Sequence, residues 1–148
     1  MDGSKDQPLL TAGLDLGDNY SYMCLIDTHS GAIMEEGKFS TSPETFKRRF
    51  ASEQPLRIAI EAGTHSPWAS RMLEECAHEV LVANARKLRL IYANKRKTDE
   101  VDAENLARLA RLDPKLLYTR LRTGAKTLRS IWPSSARARR WSVVAPSL

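Results

Sequence analysis

Four carboxylates are the residues of this sequence whose types and spacing could support joint chemistry. Asp15 lies inside the apolar run Leu9–Leu16, and Glu61 ends a second apolar run. Asp99 and Asp102 are three residues apart, a spacing that places both on one side of a helix. Buried carboxylates are costly unless a positive group lies among them. A divalent metal would meet that need, and metal ions held by carboxylates are suited to phosphodiester cleavage.

Each acid also has an ordinary structural explanation. Asp15 could cap the turn at Gly17, Glu61 could be an exposed residue at a strand end, and acids in the first turn of a helix are favoured by the helix dipole. Against this, Asp102 is followed by Leu106 on the same helical face. The two aspartates therefore continue an apolar stripe that should face the core.

The elements that must position these acids follow from the hydrophobic pattern. Three apolar or alternating segments separated by turn residues predict a β-meander, and two later short apolar runs alternate with helical patterns. The predicted strands are 9–16, 20–26, 33–39, 56–60 and 80–82. A meander followed by βαβ units predicts an α/β fold, a ribonuclease H-like (RuvC-like) mixed sheet with helices on both faces.

Helix starts are marked by Ser-Pro pairs and polar residues. Ser42-Pro43 and Ser66-Pro67 each predict a serine N-cap with proline at the first helical position. A basic helix is expected over 84–92, and another from Thr98 to Asp113-Pro114, where the proline should end it. Leu106 and Leu109 should lie on the buried face of this last helix.

Charge is unevenly distributed along the 148 residues. Residues 1–102 contain 13 Lys/Arg and 16 Asp/Glu (net −3), whereas residues 103–148 contain 10 and 2 (net +8), which together give +5. We expect one domain over 1–117 and a basic, irregular tail over 118–148. Two cysteines do not make a disulfide framework or zinc site, and no segment resembles a signal peptide or membrane span, so a cytoplasmic protein is expected.

Basic residues precede the aspartate pair. They are Arg86, Lys87, Arg89, Lys95, Arg96 and Lys97. We interpret them as contacts to a nucleic-acid backbone, because an acidic site that acts on a polyanion needs positive charge nearby. The alternative is a solvated helix face. Among the three histidines only His65, four residues after Glu61, is close in sequence to a predicted site residue.

These motifs together resemble a known family. The segments Gly13-Leu14-Asp15-Leu16-Gly17, Glu61-Ala62-Gly63-Thr64-His65-Ser66-Pro67-Trp68 and Lys97-Thr98-Asp99-Glu100-Val101-Asp102-Ala103 resemble those of the DEDD transposases. These are insertion-sequence recombinases related to the pilin-gene invertase, with an N-terminal domain similar to the Holliday-junction resolvase RuvC. The resemblance extends over about residues 12–112.

The resemblance implies a function and partners. The four acids would bind divalent metal, two Mg²⁺ or Mn²⁺ ions, and act in DNA strand cleavage and exchange. It also implies DNA as substrate, a structured guide RNA, a nucleoid-associated location and a homo-oligomer in the full-length family. The family has a second, C-terminal domain with a serine nucleophile, and this sequence stops before it. We therefore expect a truncated or frameshifted copy.

Two other interpretations compete with this one. The segment Gly13-Leu14-Asp15-Leu16-Gly17 before a hairpin also resembles the first phosphate motif of sugar kinases and actin-like ATPases. Those proteins need further glycine-rich motifs, and the 7 glycines of this chain form no such cluster. The third interpretation is a non-catalytic basic nucleic-acid-binding protein, in which the four acids have no role.

Overall fold

The structure, a computed structural model, describes residues 7–51, 54–92 and 99–119. These residues form one six-stranded mixed sheet with helices on both faces. The strands are β1 (Leu10–Leu16), β2 (Tyr20–Asp27), β3 (Ile33–Ser40), β4 (Arg57–Glu61), β5 (Glu79–Ala83) and β6 (Tyr118–Thr119). The helices are α1 (Pro43–Phe50), α2 (Ser66–Glu75), α3 (Ala85–Tyr92), α4 (Asp99–Leu112) and α5 (Pro114–Leu117).

The strand order confirms the predicted fold class. The order across the sheet is β3-β2-β1-β4-β5-β6. Strands β1, β2 and β3 form the antiparallel meander, whereas β4 pairs in parallel with both β1 and β5. An antiparallel meander extended by parallel strands through helical crossovers is the arrangement of the ribonuclease H-like fold.

One face of the sheet carries the larger hydrophobic core. It is covered by α1 and α2, and a cluster of aromatic rings lies between these helices and the strands. Phe46 and Phe50 are fully buried, and the ring centroid of Phe46 lies 5.1 Å from those of both Phe39 and Trp68. Ser42 caps α1 as predicted, because its hydroxyl oxygen accepts a hydrogen bond from the Thr45 backbone N–H.

The opposite face is covered by α4, whose backbone lies against β1 at a glycine. A Cβ atom added at Gly13 would lie 2.0 Å from the Ala103 carbonyl oxygen and 2.5 Å from the Ala107 nitrogen. The absence of a side chain at Gly13 is therefore what lets the helix approach the strand this closely. Small residues on α4 match this contact, since Ala103 and Ala107 are both buried.

The buried face of α4 differs in part from the predicted one. Leu106 is buried as predicted, but Leu109 is only partly buried. The most buried positions are Ala103, Leu106, Ala107 and Ala110. The alanine face of α4 contacts β1 because Gly13 has no side chain, and small residues pack against it more closely than leucines would.

The ends of some elements also differ from the predictions. His65, not Ser66, is the N-cap residue of α2. The Ser66 hydroxyl instead donates to the Gly63 carbonyl oxygen at 2.8 Å and accepts from the Gly63 backbone N–H at 3.0 Å, so it stabilises the preceding turn. Strand β6 pairs Tyr118 and Thr119 with β5, so the sheet continues two residues beyond the boundary expected at 117.

Two sequence-based expectations fall on residues that the structure does not describe. The predicted N-cap Thr98 and the tail from residue 120 onward lie outside the described residues. Within the described ranges, none of the helices is long and apolar enough to cross a membrane.

Candidate active site

Asp15 and Glu61 lie side by side at one edge of the sheet. The parallel pairing of β1 with β4 runs to Leu14 opposite Ile60, and the two acids are the next residue on each strand. Neighbouring strands are about 4.8 Å apart. Both side chains are partly buried. The two acids, 46 positions apart in the sequence, therefore become neighbours at the carboxyl ends of parallel strands.

Both acids belong to the sheet face that α4 covers. Gly13, two residues before Asp15, lies under the α4 backbone. Ala59, two residues before Glu61, packs in one cluster with Leu106. Because side chains two residues apart on a strand share a face, Asp15 and Glu61 are on the α4 side of the sheet.

The direction of α4 brings Asp102 to the same edge. At the beginning of β4, the Arg57 guanidinium donates to the Ala110 carbonyl oxygen at 3.5 Å, so the end of α4 lies over the start of β4. From Ala110 back to Asp102 the helix spans about 12 Å, and from Arg57 to Glu61 the strand spans about 13 Å. Asp102 therefore reaches the level of Glu61. Its Oδ2 atom is buried.

Asp99 enters this arrangement only through its backbone. It is the first residue of α4, one helical turn before Ala103, and its side chain lies outside what the structure describes. Among the described side chains, no three His, Cys, Asp or Glu are grouped closely enough to hold a metal ion. The four-acid metal site thus stays a prediction, with two acids adjacent and the third at the same edge.

A hydrogen-bonded histidine next to this edge was not assigned a role from the sequence. The Trp68 indole N–H donates to His65 Nδ1 at 3.1 Å, and His65 Nε2 lies 2.9 Å from Asp18 Oδ1. An indole N–H can only donate, so Nδ1 is the acceptor and Nε2 carries the proton that it donates to Asp18. His65 thereby joins the β1–β2 turn to the start of α2, across the edge that Asp15 and Glu61 occupy. Local sequence gives no signal for this pairing, because its partners are 47 residues apart.

The Cys24 thiol on the same sheet face has low reactivity. Cys24 is buried and lies opposite Gly13 in the β1–β2 pairing. Burial, together with the nearby Glu36 and Glu104 carboxylates, raises the pKa of the Cys24 thiol to about 12, although Arg108 acts in the opposite direction. A protonated thiol is a poor nucleophile and a poor metal ligand, so Cys24 is not a candidate for either role.

Two of the six predicted nucleic-acid contacts have described side chains. Arg86 and Lys87 are exposed in the first turn of α3, directly after β5. Ala83 at the end of β5 pairs with Glu61, so both basic residues begin beside the acidic edge. Of the remaining four, Arg89 has only its backbone described, and Lys95, Arg96 and Lys97 lie outside the described residues.

The strand order, with helices on both faces of the sheet, defines a ribonuclease H-like domain. A family model described as "Transposase", the DEDD transposases of the IS110 type, matches residues 12–131. The chain belongs to that family. The match confirms the resemblance inferred from the sequence and extends beyond residue 112, where that resemblance was expected to end.

Solved structures were also compared with the chain. It is similar to RuvC of T. thermophilus in complex with a Holliday junction substrate, with 14% identity, a TM-score of 0.49, and coverage of 76% of this chain and 99% of that one. A second Thermus thermophilus RuvC structure matches with 14% identity and a TM-score of 0.48, over 74% of this chain and 99% of that one. No curated protein sequence matches this chain.

Family membership decides between the two enzyme classes considered from the sequence. The chain is a transposase domain that acts on DNA, as the motifs predicted. The family match extends over 120 of the 148 residues, including the segment Gly13 to Gly17 that also resembled the sugar kinases and actin-like ATPases. That segment therefore belongs to a transposase.

Proposed function

We propose that Asp15, Glu61, Asp99 and Asp102 bind divalent metal, two Mg²⁺ or Mn²⁺ ions, and that this centre cleaves and exchanges DNA strands during transposition of an insertion sequence. The observation that carries the proposal is the register of β1 and β4. It makes Asp15 and Glu61 adjacent residues at the carboxyl ends of parallel strands, on the face that α4 covers.

The donor set suits the proposed ions. Hard divalent cations take oxygen ligands, and carboxylates also offset their charge. Asp15, Glu61 and Asp102 would supply carboxylate oxygens, and Asp99 would complete the set. When bound, the metal supplies activation of the attacking oxygen and stabilisation of the leaving oxygen.

The protein's own residues would hold these acids and guide the substrate. The close contact of Gly13 with α4 sets the height of Asp102 above β1. The hydrogen bonds of His65 to Asp18 and Trp68 brace the turn that follows Asp15. Arg86 and Lys87 are placed to neutralise phosphates of a DNA strand that approaches Glu61.

Further parts of the proposal concern partners and location. We propose that Arg89, Lys95, Arg96 and Lys97 extend the nucleic-acid contact begun by Arg86 and Lys87. We also propose a structured RNA that selects the DNA site, self-association of the full-length protein, and a cytoplasmic location at the nucleoid, where its DNA substrate is. The family match supports DNA as the substrate, and the remaining parts rest on the resemblance of the motifs to those of the DEDD transposases.

A metal titration tests the site directly. Mg²⁺ or Mn²⁺ is titrated by calorimetry into the chain and into an Asp15→Asn/Asp102→Asn variant, each with branched DNA present. We expect the variant to lose most of the metal binding, because each substitution removes a charge and a ligand oxygen from the same edge.

A matched variant controls for the loss of two negative charges. Glu44 and Glu75 are exposed acids on the helices of the opposite sheet face, so Glu44→Gln/Glu75→Gln has the same charge change far from the site. It should bind metal like the unmodified chain. Equal metal binding by all three proteins would refute the metal centre and favour the non-catalytic nucleic-acid-binding function.

A further inference from the structure

A row of four residues crosses the sheet at the level of the proposed metal site. Tyr22 pairs with Asp15 on one side and with Lys38 on the other, and Glu61 follows Asp15 on the next strand. Directly opposed residues of neighbouring strands share a face. The row therefore reads Lys38, Tyr22, Asp15, Glu61 along the face that α4 covers.

At the β3 end of this row, a lysine and a tyrosine form an exposed pair. The Lys38 ammonium lies 4.3 Å from the ring centroid of Tyr20 and 5.8 Å from that of Tyr22. Tyr20 is 54% exposed, although it sits on a paired strand, and Lys38 is also exposed. Tyr20 is the first residue of β2 and thus lies at the edge where β1 ends. The contact with its ring turns the Lys38 ammonium toward that edge.

The acid closest to Lys38 along its strand lies beside a buried thiol. Glu36 lies two residues earlier on the same face of β3 and pairs with Cys24. Its carboxylate helps to raise the pKa of the Cys24 thiol. The Lys38 ammonium lies over the Tyr20 ring, 4.3 Å from its centroid.

We propose that Tyr20 and Lys38 form a contact site for an unpaired segment of the DNA strand that is cut, with Lys38 on a backbone phosphate and Tyr20 stacked on a base. This proposal rests on the proposed function, because it uses the carboxylate edge as the cleavage point. An exposed ring beside a cation is the combination that single-stranded nucleic acid recognises, since every base has a face that can stack.

Position and charge both fit this occupant. Arg86 and Lys87 lie beyond Glu61 on the β5 side, and Lys38 lies beyond Asp15 on the β3 side. A strand laid along the row would thus meet positive charge on both sides of the acids. Lys38 is two strands away from Asp15, about 10 Å. A duplex rises about 3.4 Å per nucleotide and an unpaired strand can extend further, so the phosphate that Lys38 binds lies within about three nucleotides of the cut.

Binding measurements on the full chain test the contact without depending on metal. Dissociation constants are measured by fluorescence anisotropy in EDTA over a range of KCl, with a branched DNA that carries an unpaired flap and with a fully paired duplex. Tyr20→Ala should weaken flap binding at least about fivefold and duplex binding by less than about twofold. Tyr20→Phe keeps the ring and should bind as the unmodified chain does.

The lysine is tested against a matched lysine. Lys38→Gln should lower the magnitude of the slope of log K against log salt by about 0.7, the value for one phosphate of a single strand. Lys47 is exposed on α1, on the opposite face of the sheet, and Lys47→Gln should leave the slope unchanged. One uncharged methylphosphonate, moved through the positions within about three nucleotides of the cut, should at one of them weaken binding to the unmodified chain but not to Lys38→Gln.

The outcomes separate this proposal from the metal centre. Equal losses for Lys38→Gln and Lys47→Gln, or equal losses of flap and duplex binding for Tyr20→Ala, would overturn the contact site and leave the metal titration unaffected. Unchanged metal binding in Asp15→Asn/Asp102→Asn would refute the metal centre while the anisotropy result still stands. Both Tyr20 and Lys38 are exposed, so thermal melts of the variants should match that of the unmodified chain.

Discussion

Substituting Gly13 by alanine tests how the acids of α4 are positioned against β1. The added Cβ would lie 2.0 Å from the Ala103 carbonyl oxygen, whereas an ordinary contact begins at 3.4 Å. The helix must therefore move by about 1.4 Å, because a backbone atom cannot turn aside as a flexible side chain can. Ala103 directly follows Asp102, so this movement displaces the proposed ligand from Asp15.

The expected cost lies at the upper end of the range for overpacking. We expect a loss of about 3 kcal/mol of unfolding free energy, since Ala107 and Leu106 obstruct the same Cβ. For a chain of 148 residues that loss corresponds to a decrease in Tm of about 6–12 °C. A displacement of about 1 Å in a catalytic group costs about 10²-fold in rate, so metal-dependent DNA cleavage should fall by about that factor.

Thermal melts followed by circular dichroism, with Gly63→Ala as the control, measure this effect. A Cβ at Gly63 would meet nothing within 4 Å, so this variant carries the same change of residue without the clash. Its unfolding free energy should stay within about 1 kcal/mol of that of the unmodified chain. If Gly13→Ala melts within about 2 °C of Gly63→Ala, α4 does not lie on Gly13 and the placement of Asp102 is wrong.

Three further predictions concern stability and thiol reactivity. Burial lowers the pKa of His78. Below about pH 6.5, the pKa of a histidine in the unfolded chain, His78 therefore takes up a proton more readily in the unfolded state than in the folded state. The urea midpoint should fall from pH 7 toward pH 5, and His78→Gln should remove the part of the decrease that is due to this residue. Because the pKa of the buried Cys24 thiol is raised to about 12, a maleimide at pH 7 should label Cys76 first and Cys24 only after global unfolding. Rapid labelling of Cys24 in a folded Cys76→Ser variant would contradict this. Arg57→Met should destabilise the fold by about 3 kcal/mol in chemical denaturation, because the largely buried Glu79, 3.0 Å from the Arg57 guanidinium, keeps its charge. The double variant Arg57→Met/Glu79→Leu should recover part of that loss of unfolding free energy. No recovery would show that the two residues are not coupled.

Most of the elements could be predicted from the sequence because their signals are local. Apolar runs separated by turn residues located the first five strands within one or two residues, and Ser42-Pro43 located the start of α1. The two-residue strand β6 carries no such signal, since its pairing with β5 depends on where α4 and α5 return the chain. The N-cap of α2 was misplaced by one residue because the Ser66 hydroxyl bonds back to Gly63 rather than forward into the helix.

The sequence by itself determined which residues could do chemistry and the order in which they occur. Asp15 within a strand, Glu61 at a strand end and Asp102 on a helix follow from residue type and periodicity, which are properties of neighbouring residues. The resemblance of the motifs to the DEDD transposases was readable for the same reason, and the family match confirmed membership of that family.

Only the tertiary structure decided which of these residues are neighbours. The parallel pairing of β1 with β4 places Asp15 beside Glu61, and the contact of Gly13 with Ala103 sets the position of α4. The row from Lys38 to Asp15 depends on strand register in the same way. Pairing and register are set by burial of whole faces across distant segments, so a one-residue shift would move every one of these side chains to the other face of the sheet.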